Sequence, residues 1–147
     1  MKCVVITGAN RGIGLELCKQ FLAKGNRVFA SYRSNMGGLE DIQNPNLSTF
    51  KLDVRDADDV QTFASSIEGS VDVLINNAGV ADGRWQSISD IDMRQAMDVI
   101  EVNSIAPVLV TQKFESKLKS GSKIVMMSSL MGSISDCTVS YTHLRAH

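Results

Sequence analysis

Cysteine, proline, histidine and aromatic side chains are all scarce in this 147-residue chain, and each scarcity removes a class of protein. The three cysteines, Cys3, Cys18 and Cys137, are odd in number and none stands two residues from another. A disulfide framework and a thiolate metal site are therefore excluded, and the thiols are expected to be reduced, small hydrophobes. The only histidines, His143 and His147, fall within the last five residues, so the body of the chain has none for a metal or a Ser-His device. Charge of one sign is lacking too: 15 Lys and Arg against 16 Asp and Glu give a net charge of -1, which offers nucleic acid no basic surface. Nowhere do the ~18 consecutive apolar residues of a membrane span occur, and the apolar run after Met1 is too brief for a signal peptide. With 44% hydrophobic and 21% charged residues the chain is expected to be a folded, cytoplasmic protein of one domain, short for a complete nucleotide-dependent enzyme.

What is present is an alternation of short apolar runs with helical spacing. "CVVIT" (3 to 7), "RVFASY" (27 to 32), "STFKLDV" (48 to 54), "VDVLINN" (71 to 77) and "SKIVMMSS" (122 to 129) read as strands. Between the first two, Ile13, Leu15, Leu17, Cys18, Phe21 and Leu22 share a helical face that Gly25 ends. A second helix is expected from about Ala57 to Ile67. A long helical stretch from Asp90 to Leu118 should kink or break at Pro107. Parallel strands need such crossovers and coverage on both faces, so the fold is expected to be α/β, a doubly wound parallel sheet with its ligand site at the carboxyl ends of the strands.

The first of those ends reads "TGANRGIGLEL", with Gly8, Gly12 and Gly14 between strand and helix. Glycines there let the backbone approach a diphosphate, which the helix N-terminus favours. Four further pieces follow in order: "LDV" at 52 to 54, "NNAG" at 76 to 79, Asn103 in "EVNSIAP", and "SSLMGSI" at 128 to 134. Together they resemble the short-chain dehydrogenase/reductase family over residues 1 to 138, with wording close to its C-factor and carbonyl-reductase-like branch.

That resemblance implies an oxidoreductase acting on a small-molecule carbonyl or alcohol, in a complete protein that forms a homodimer or homotetramer. Gly8, Asn10, Arg11, Gly12, Ile13 and Gly14 would cradle the cofactor, Asp53 and Val54 would meet its adenine, and Asn77, Ala78 and Gly79 would line its ribose. Ser129 would hydrogen-bond the substrate carbonyl, and Asn103 would hold a water in a proton relay. A nucleotide-binding regulator without turnover is the alternative, since a fold does not fix a function. The cofactor choice has a physical argument. A carboxylate ending the second strand would favour NAD(H), whereas Tyr32 and then Arg33 stand there, with Arg11 in the glycine loop. Two guanidinium groups suit a 2′-phosphate, so NADP(H) is expected over NAD(H).

The end of the chain, "VSYTHLRAH", places Arg145 four residues after Tyr141, where the family pairs tyrosine with lysine. A lysine at that spacing lowers the tyrosine's pKa from about 10 for proton transfer. Residues 139 to 147 also match, residue by residue, one frame of a transposase adapter used in DNA sequencing libraries. They are expected to be a non-native tail on a sequence cut after the fifth strand. On that reading Tyr32 is the only natural tyrosine, and the chain lacks its proton donor. The fifth strand would be an uncovered edge. Met93, Met97, Met126, Met127 and Met131 read as core filling, and Trp85 as a loop aromatic.

Overall fold

A computed structural model describes residues 1–81 and 87–129. Five parallel strands, β1 (Cys3–Ile6), β2 (Arg27–Tyr32), β3 (Leu47–Lys51), β4 (Val71–Asn76) and β5 (Leu118–Met126), form one sheet in the order β3-β2-β1-β4-β5. Helix α1 (Gly12–Ala23) joins β1 to β2 and α2 (Ala57–Ser66) joins β3 to β4. Helices α3 (Met93–Ile100) and α4 (Ala106–Phe114) precede β5. The chain leaves β1 toward β2 and β3, then crosses back to place β4 on the other side of β1, which creates a crevice at the strand ends.

The period of two along each strand sorts the core into two layers. Val4 and Ile6 of β1 join Val28, Ala30, Val73 and Ile75 beneath Cys18 and Leu22 of α1. Val5 joins Phe29 and Leu74 beneath Val60 and Phe63 of α2 and Val110 and Phe114 of α4. Ring contacts run from Phe29 through Phe50 and Phe63 to Phe114, with centroids 6.3, 4.7 and 5.5 Å apart, so this layer holds four of the chain's five phenylalanines. Phe114 is fully buried, and its truncation to Ala would cost about 3–5 kcal/mol. Cys18 is buried within the first layer, where loss of solvent pushes its thiol up to about 12.

Several expectations need correction. β3 ends at Lys51, three residues earlier than the apolar pattern suggests, so Leu52, Asp53 and Val54 lie in the following loop. β5 begins at Leu118 and ends at Met126, which leaves Ser128 and Ser129 beyond the strand. Ile13 does not share the buried face of α1: it is 63% exposed at the helix start. Met93 and Met97 on α3 are 67% and 66% exposed and Met126 is 49% exposed, so these methionines are not core filling. Periodicity cannot show whether anything covers an apolar stripe.

The long helical stretch breaks ahead of Pro107. Residues Glu101–Ile105 form a π-turn between α3 and α4, with the Ala106 amide bonding to the Glu101 carbonyl. Proline explains the fault: residue 107 has no N–H to send to the carbonyl of Asn103, so an unbroken α-helical ladder cannot pass this point. Pro107 itself sits in the first turn of α4, where a missing donor is tolerated.

Candidate cofactor and active site

The carboxyl end of β1 sets the site. Thr7, buried just past the strand, donates its amide to the Ile75 carbonyl at 3.0 Å, and the next residue turns sharply. Gly8 has φ +64°, and a Cβ there would lie 2.6 Å from Ala78 Cα, so the glycine loop is pressed against the segment after β4. A Cβ on Gly14 would lie 2.5 Å from Asn77 Nδ2 and 2.6 Å from the Gly8 carbonyl oxygen. Only glycine permits both approaches.

Side chains lock these two segments together. Asn77 Nδ2 donates to the Thr7 and Gly8 carbonyls at 3.0 and 2.9 Å, while the Thr7 hydroxyl accepts from the Asn77 and Ala78 amides at 3.1 Å each. Asn77 is thus a clamp between the β1 and β4 ends. Its neighbour Asn76 is buried and works on the other side of the sheet end, donating to Thr111 Oγ1 of α4 at 3.2 Å and Met126 Sδ of β5 at 3.3 Å. Asn103, in the π-turn, grips the next residue along: its Nδ2 donates to the Val80 carbonyl at 2.7 Å and its Oδ1 accepts from the Val80 amide at 2.9 Å.

Between these segments lies an open cleft of about 700 Å³. The glycine loop supplies Gly8, Asn10, Arg11, Gly12, Ile13 and Gly14 to its wall. Arg33 contributes from the end of β2, Asp53 and Val54 from the loop after β3, and Asn77, Ala78 and Gly79 from the segment after β4. All twelve residues expected to hold a cofactor therefore share one cavity. Ser129 and Asn103 do not line it: Ser129 lies three residues past β5, whose ladder continues through the Met127 amide to the Asn76 carbonyl at 3.0 Å. Trp85, Met131, Cys137, Tyr141 and Arg145 lie outside the described residues.

The cleft's charge is suited to an anion. Helix α1 begins at Gly12 with no side-chain cap on its first turn and no acidic residue there, so its N-terminal amides face the cavity without an internal anion. A nicotinamide dinucleotide fits this cavity on three structural grounds: the Cβ-free cradle at Gly8 and Gly14, the uncapped helix start, and Arg11 and Arg33 on the wall.

Four participants escape motif reading. The loop after β2 docks on the glycine loop, the Gly38 amide donating to the Asn10 carbonyl at 3.0 Å and Asn10 Nδ2 to Asn35 Oδ1 at 3.4 Å. Val80 and Val102 also line the cleft. Arg55 makes an ion pair with Asp53 at 2.7 Å, and its hydrogen bonds hold the Asp53 carboxyl below the usual carboxylate range. The "LDVRD" run carries that pair in its spacing, two residues apart, but gives no sign that the arginine folds back.

Among the described residues no helix is long and apolar enough to cross a membrane, and no three His, Cys, Asp or Glu side chains gather as a metal site.

Known proteins share this fold. The model of the short chain dehydrogenase family matches residues 2–142. (+)-Neomenthol dehydrogenase of Arabidopsis thaliana is 30% identical over 88% of this chain and 54% of its own length. Human retinol dehydrogenase 11 is 36% identical over 88% of this chain and 43% of its own. Among solved structures, an NADPH-bound carbonyl reductase from chicken fatty liver superposes with a TM-score of 0.84 at 31% identity, covering 99% of this chain and 66% of that one. A carbonyl reductase from Pseudomonas aeruginosa PAO1 in complex with NADP gives 0.83 at 30% identity, over 92% of this chain and 64% of the other. The chain thus spans about half the length of the curated relatives it matches, or less. By its glycine loop, its parallel sheet and these matches, the chain belongs to the short-chain dehydrogenase/reductase family and is carbonyl-reductase-like within it.

Proposed function

We propose that this sequence is the cofactor-binding part of an NADP(H)-dependent cytoplasmic oxidoreductase that reduces a small-molecule carbonyl or oxidises the corresponding alcohol. The observation that carries the cofactor half is the absence of a carboxylate at the end of β2, where Tyr32 and Arg33 stand, with Arg11 across the same cleft. A 2′-phosphate would gain charge-assisted hydrogen bonds there that a 2′-hydroxyl cannot match. The NADPH and NADP named for the carbonyl reductases above support the same choice.

Each residue then has a task. Gly8, Gly12, Ile13 and Gly14 hold the diphosphate against the start of α1, Asp53 and Val54 meet the adenine, and Asn77, Ala78 and Gly79 border the ribose. Ser129 donates to the substrate carbonyl. The bound nicotinamide supplies or accepts the hydride. The amide of Asn103 is committed at both ends to Val80, so a relay water would meet its main-chain carbonyl, from which Pro107 withholds the α-helical donor.

In this chain Arg145 follows Tyr141 at the spacing where lysine belongs. We read residues 139 to 147 as a non-native tail and residues 1 to 138 as the domain, so this chain binds cofactor without turnover. The complete protein, a homodimer or homotetramer, performs the reaction.

Titration of the chain with NADPH and NADH, followed by the quenching or shift of nicotinamide fluorescence, tests the cofactor reading. NADPH is expected to bind at least tenfold tighter, and Arg33→Asp to erase or reverse the preference. Equal binding of the two, or an unchanged preference in Arg33→Asp, sinks it.

A further inference from the structure

Arg55 belongs to none of the family motifs, yet it is the most heavily paired cation among the described residues. Its Nε donates to Asp53 Oδ1 at 3.0 Å and Oδ2 at 3.2 Å, its Nη2 donates to Oδ2 at 2.7 Å, and its backbone amide donates to Oδ1 at 3.0 Å. The opposite corner of the guanidinium, Nη1, reaches Asp98 of α3 at 3.5 Å and Glu101 of the π-turn at 3.7 Å. The fork is held from two sides, and Asp53 is held by the fork.

A carboxylate offers about four acceptor positions. Three N–H groups of Arg55, the amide, Nε and Nη2, take up about three of them, so about one acceptor position is left on Asp53, which is itself part of the cleft wall. We propose that Arg55 is a positioning residue for base recognition: by locking Asp53 it presents a single fixed acceptor that takes a purine 6-amino group and rejects a 6-oxo group. This rests on the cofactor reading above. The lock has two parts. Geometrically, the bidentate fork fixes the carboxylate plane, which a free aspartate would let rotate. Electrostatically, the same bonds hold the carboxyl below the usual carboxylate range, so Asp53 stays an ionised acceptor even in mild acid. A 6-oxo base would set acceptor against acceptor.

The test compares NADPH with its hypoxanthine analogue, reduced nicotinamide hypoxanthine dinucleotide phosphate, on the intact chain and on Arg55→Ala, with thermal unfolding of each protein measured alongside. The intact chain is expected to prefer the adenine form roughly tenfold, the worth of one charge-assisted hydrogen bond. In Arg55→Ala that ratio should collapse toward unity through weaker NADPH binding, with the hypoxanthine form changed less than about twofold. A merely structural role would weaken both ligands in parallel and keep the ratio, which overturns the proposal, as does an intact chain that binds both alike. If Arg55→Ala does not fold, Arg55→Lys, which keeps the charge but loses the fork, decides on the same ratio. An intact chain that binds neither dinucleotide overturns the cofactor reading itself, and this inference with it.

Discussion

Asn103 and Val80 are joined by a closed pair of hydrogen bonds, 2.7 and 2.9 Å, in which a single amide side chain satisfies both the carbonyl and the N–H of one residue. The pair ties the π-turn to the segment that carries Asn77, Ala78 and Gly79 past the cleft. Gly79 lies directly beneath it: a Cβ there would be 3.4 Å from Asn103 Oδ1.

Asn103→Leu removes both bonds. The site is exposed enough for water to replace part of them, so the loss of stability is expected to be about 1–2 kcal/mol, read from denaturant unfolding. Asn103→Asp is the sharper variant. It keeps the acceptor for the Val80 amide but turns a carboxylate oxygen toward the Val80 carbonyl, and it should weaken NADPH binding more than Asn103→Leu weakens it. Equal stability of all three proteins would show that the pair holds nothing.

Gly8 offers a backbone test of the same cleft. Gly8→Ala adds a Cβ 2.6 Å from a main-chain atom of Ala78 at a residue with φ +64°, and neither the contact nor the dihedral can be relieved by a side-chain rotation. A destabilisation above about 2 kcal/mol is expected, together with loss of dinucleotide binding. Gly25→Ala is the control: it too has positive φ, +73°, but its Cβ meets nothing within 4 Å, so it should cost less and leave binding intact. A Gly8→Ala protein as stable as Gly25→Ala would contradict the close packing of the two loops.

What can be read from the amino-acid order alone depends on whether the information is local. Strand identity and the glycine loop are legible because apolar runs and turn glycines are local signals, and the twelve residues expected to hold a cofactor are grouped because the topology brings strand ends together. Pro107 announces a fault in the helix and, four residues back, the carbonyl that loses its donor, but not that the chain closes the gap with a π-turn, one of several ways a helix can do so. The Asn77 clamp and the Arg55 fork are not legible, since each depends on which side chain comes within hydrogen-bond reach in the folded chain, and neither charge nor spacing encodes that. The exposure of Met93 and Met97 is hidden for the same reason: an apolar stripe marks a face, not what covers it.

Acid should act first on the ionised carboxylates. Hydrogen bonds to Arg55 lower the pKa of Asp53 in the folded state, and the Cys3 amide at 2.8 Å and Lys119 at 3.1 Å lower that of Asp72. A depressed folded value means that the unfolded chain binds the proton more readily, so the stabilisation is fully present above the unfolded value, about pH 4, and is lost as pH falls through the lower folded value. The denaturation midpoint is expected to hold steady between pH 7 and about pH 5 and to drop below about pH 4. Asp53→Asn should flatten part of that drop and leave the share belonging to Asp72. A variant with the same acid slope as the parent would mean that the Arg55 pair does not stabilise the fold.

Among the described residues β5 pairs with β4 alone, so from Lys123 to Met126 its other side presents a strand edge. Its side chains do nothing to blunt that edge where it is most apolar: Ile124 is 46% exposed and Met126 stands beside it on the same face. An open apolar edge is a template for another strand, so the 147-residue chain should self-associate at micromolar concentration. Ile124→Lys places a charge in the middle of the edge without removing a fully buried side chain, and it should shift light scattering toward the monomer while changing stability by less than about 1 kcal/mol. A parent chain that is monodisperse and melts cooperatively would show that the edge is covered, and the substitution would then be expected to destabilise it.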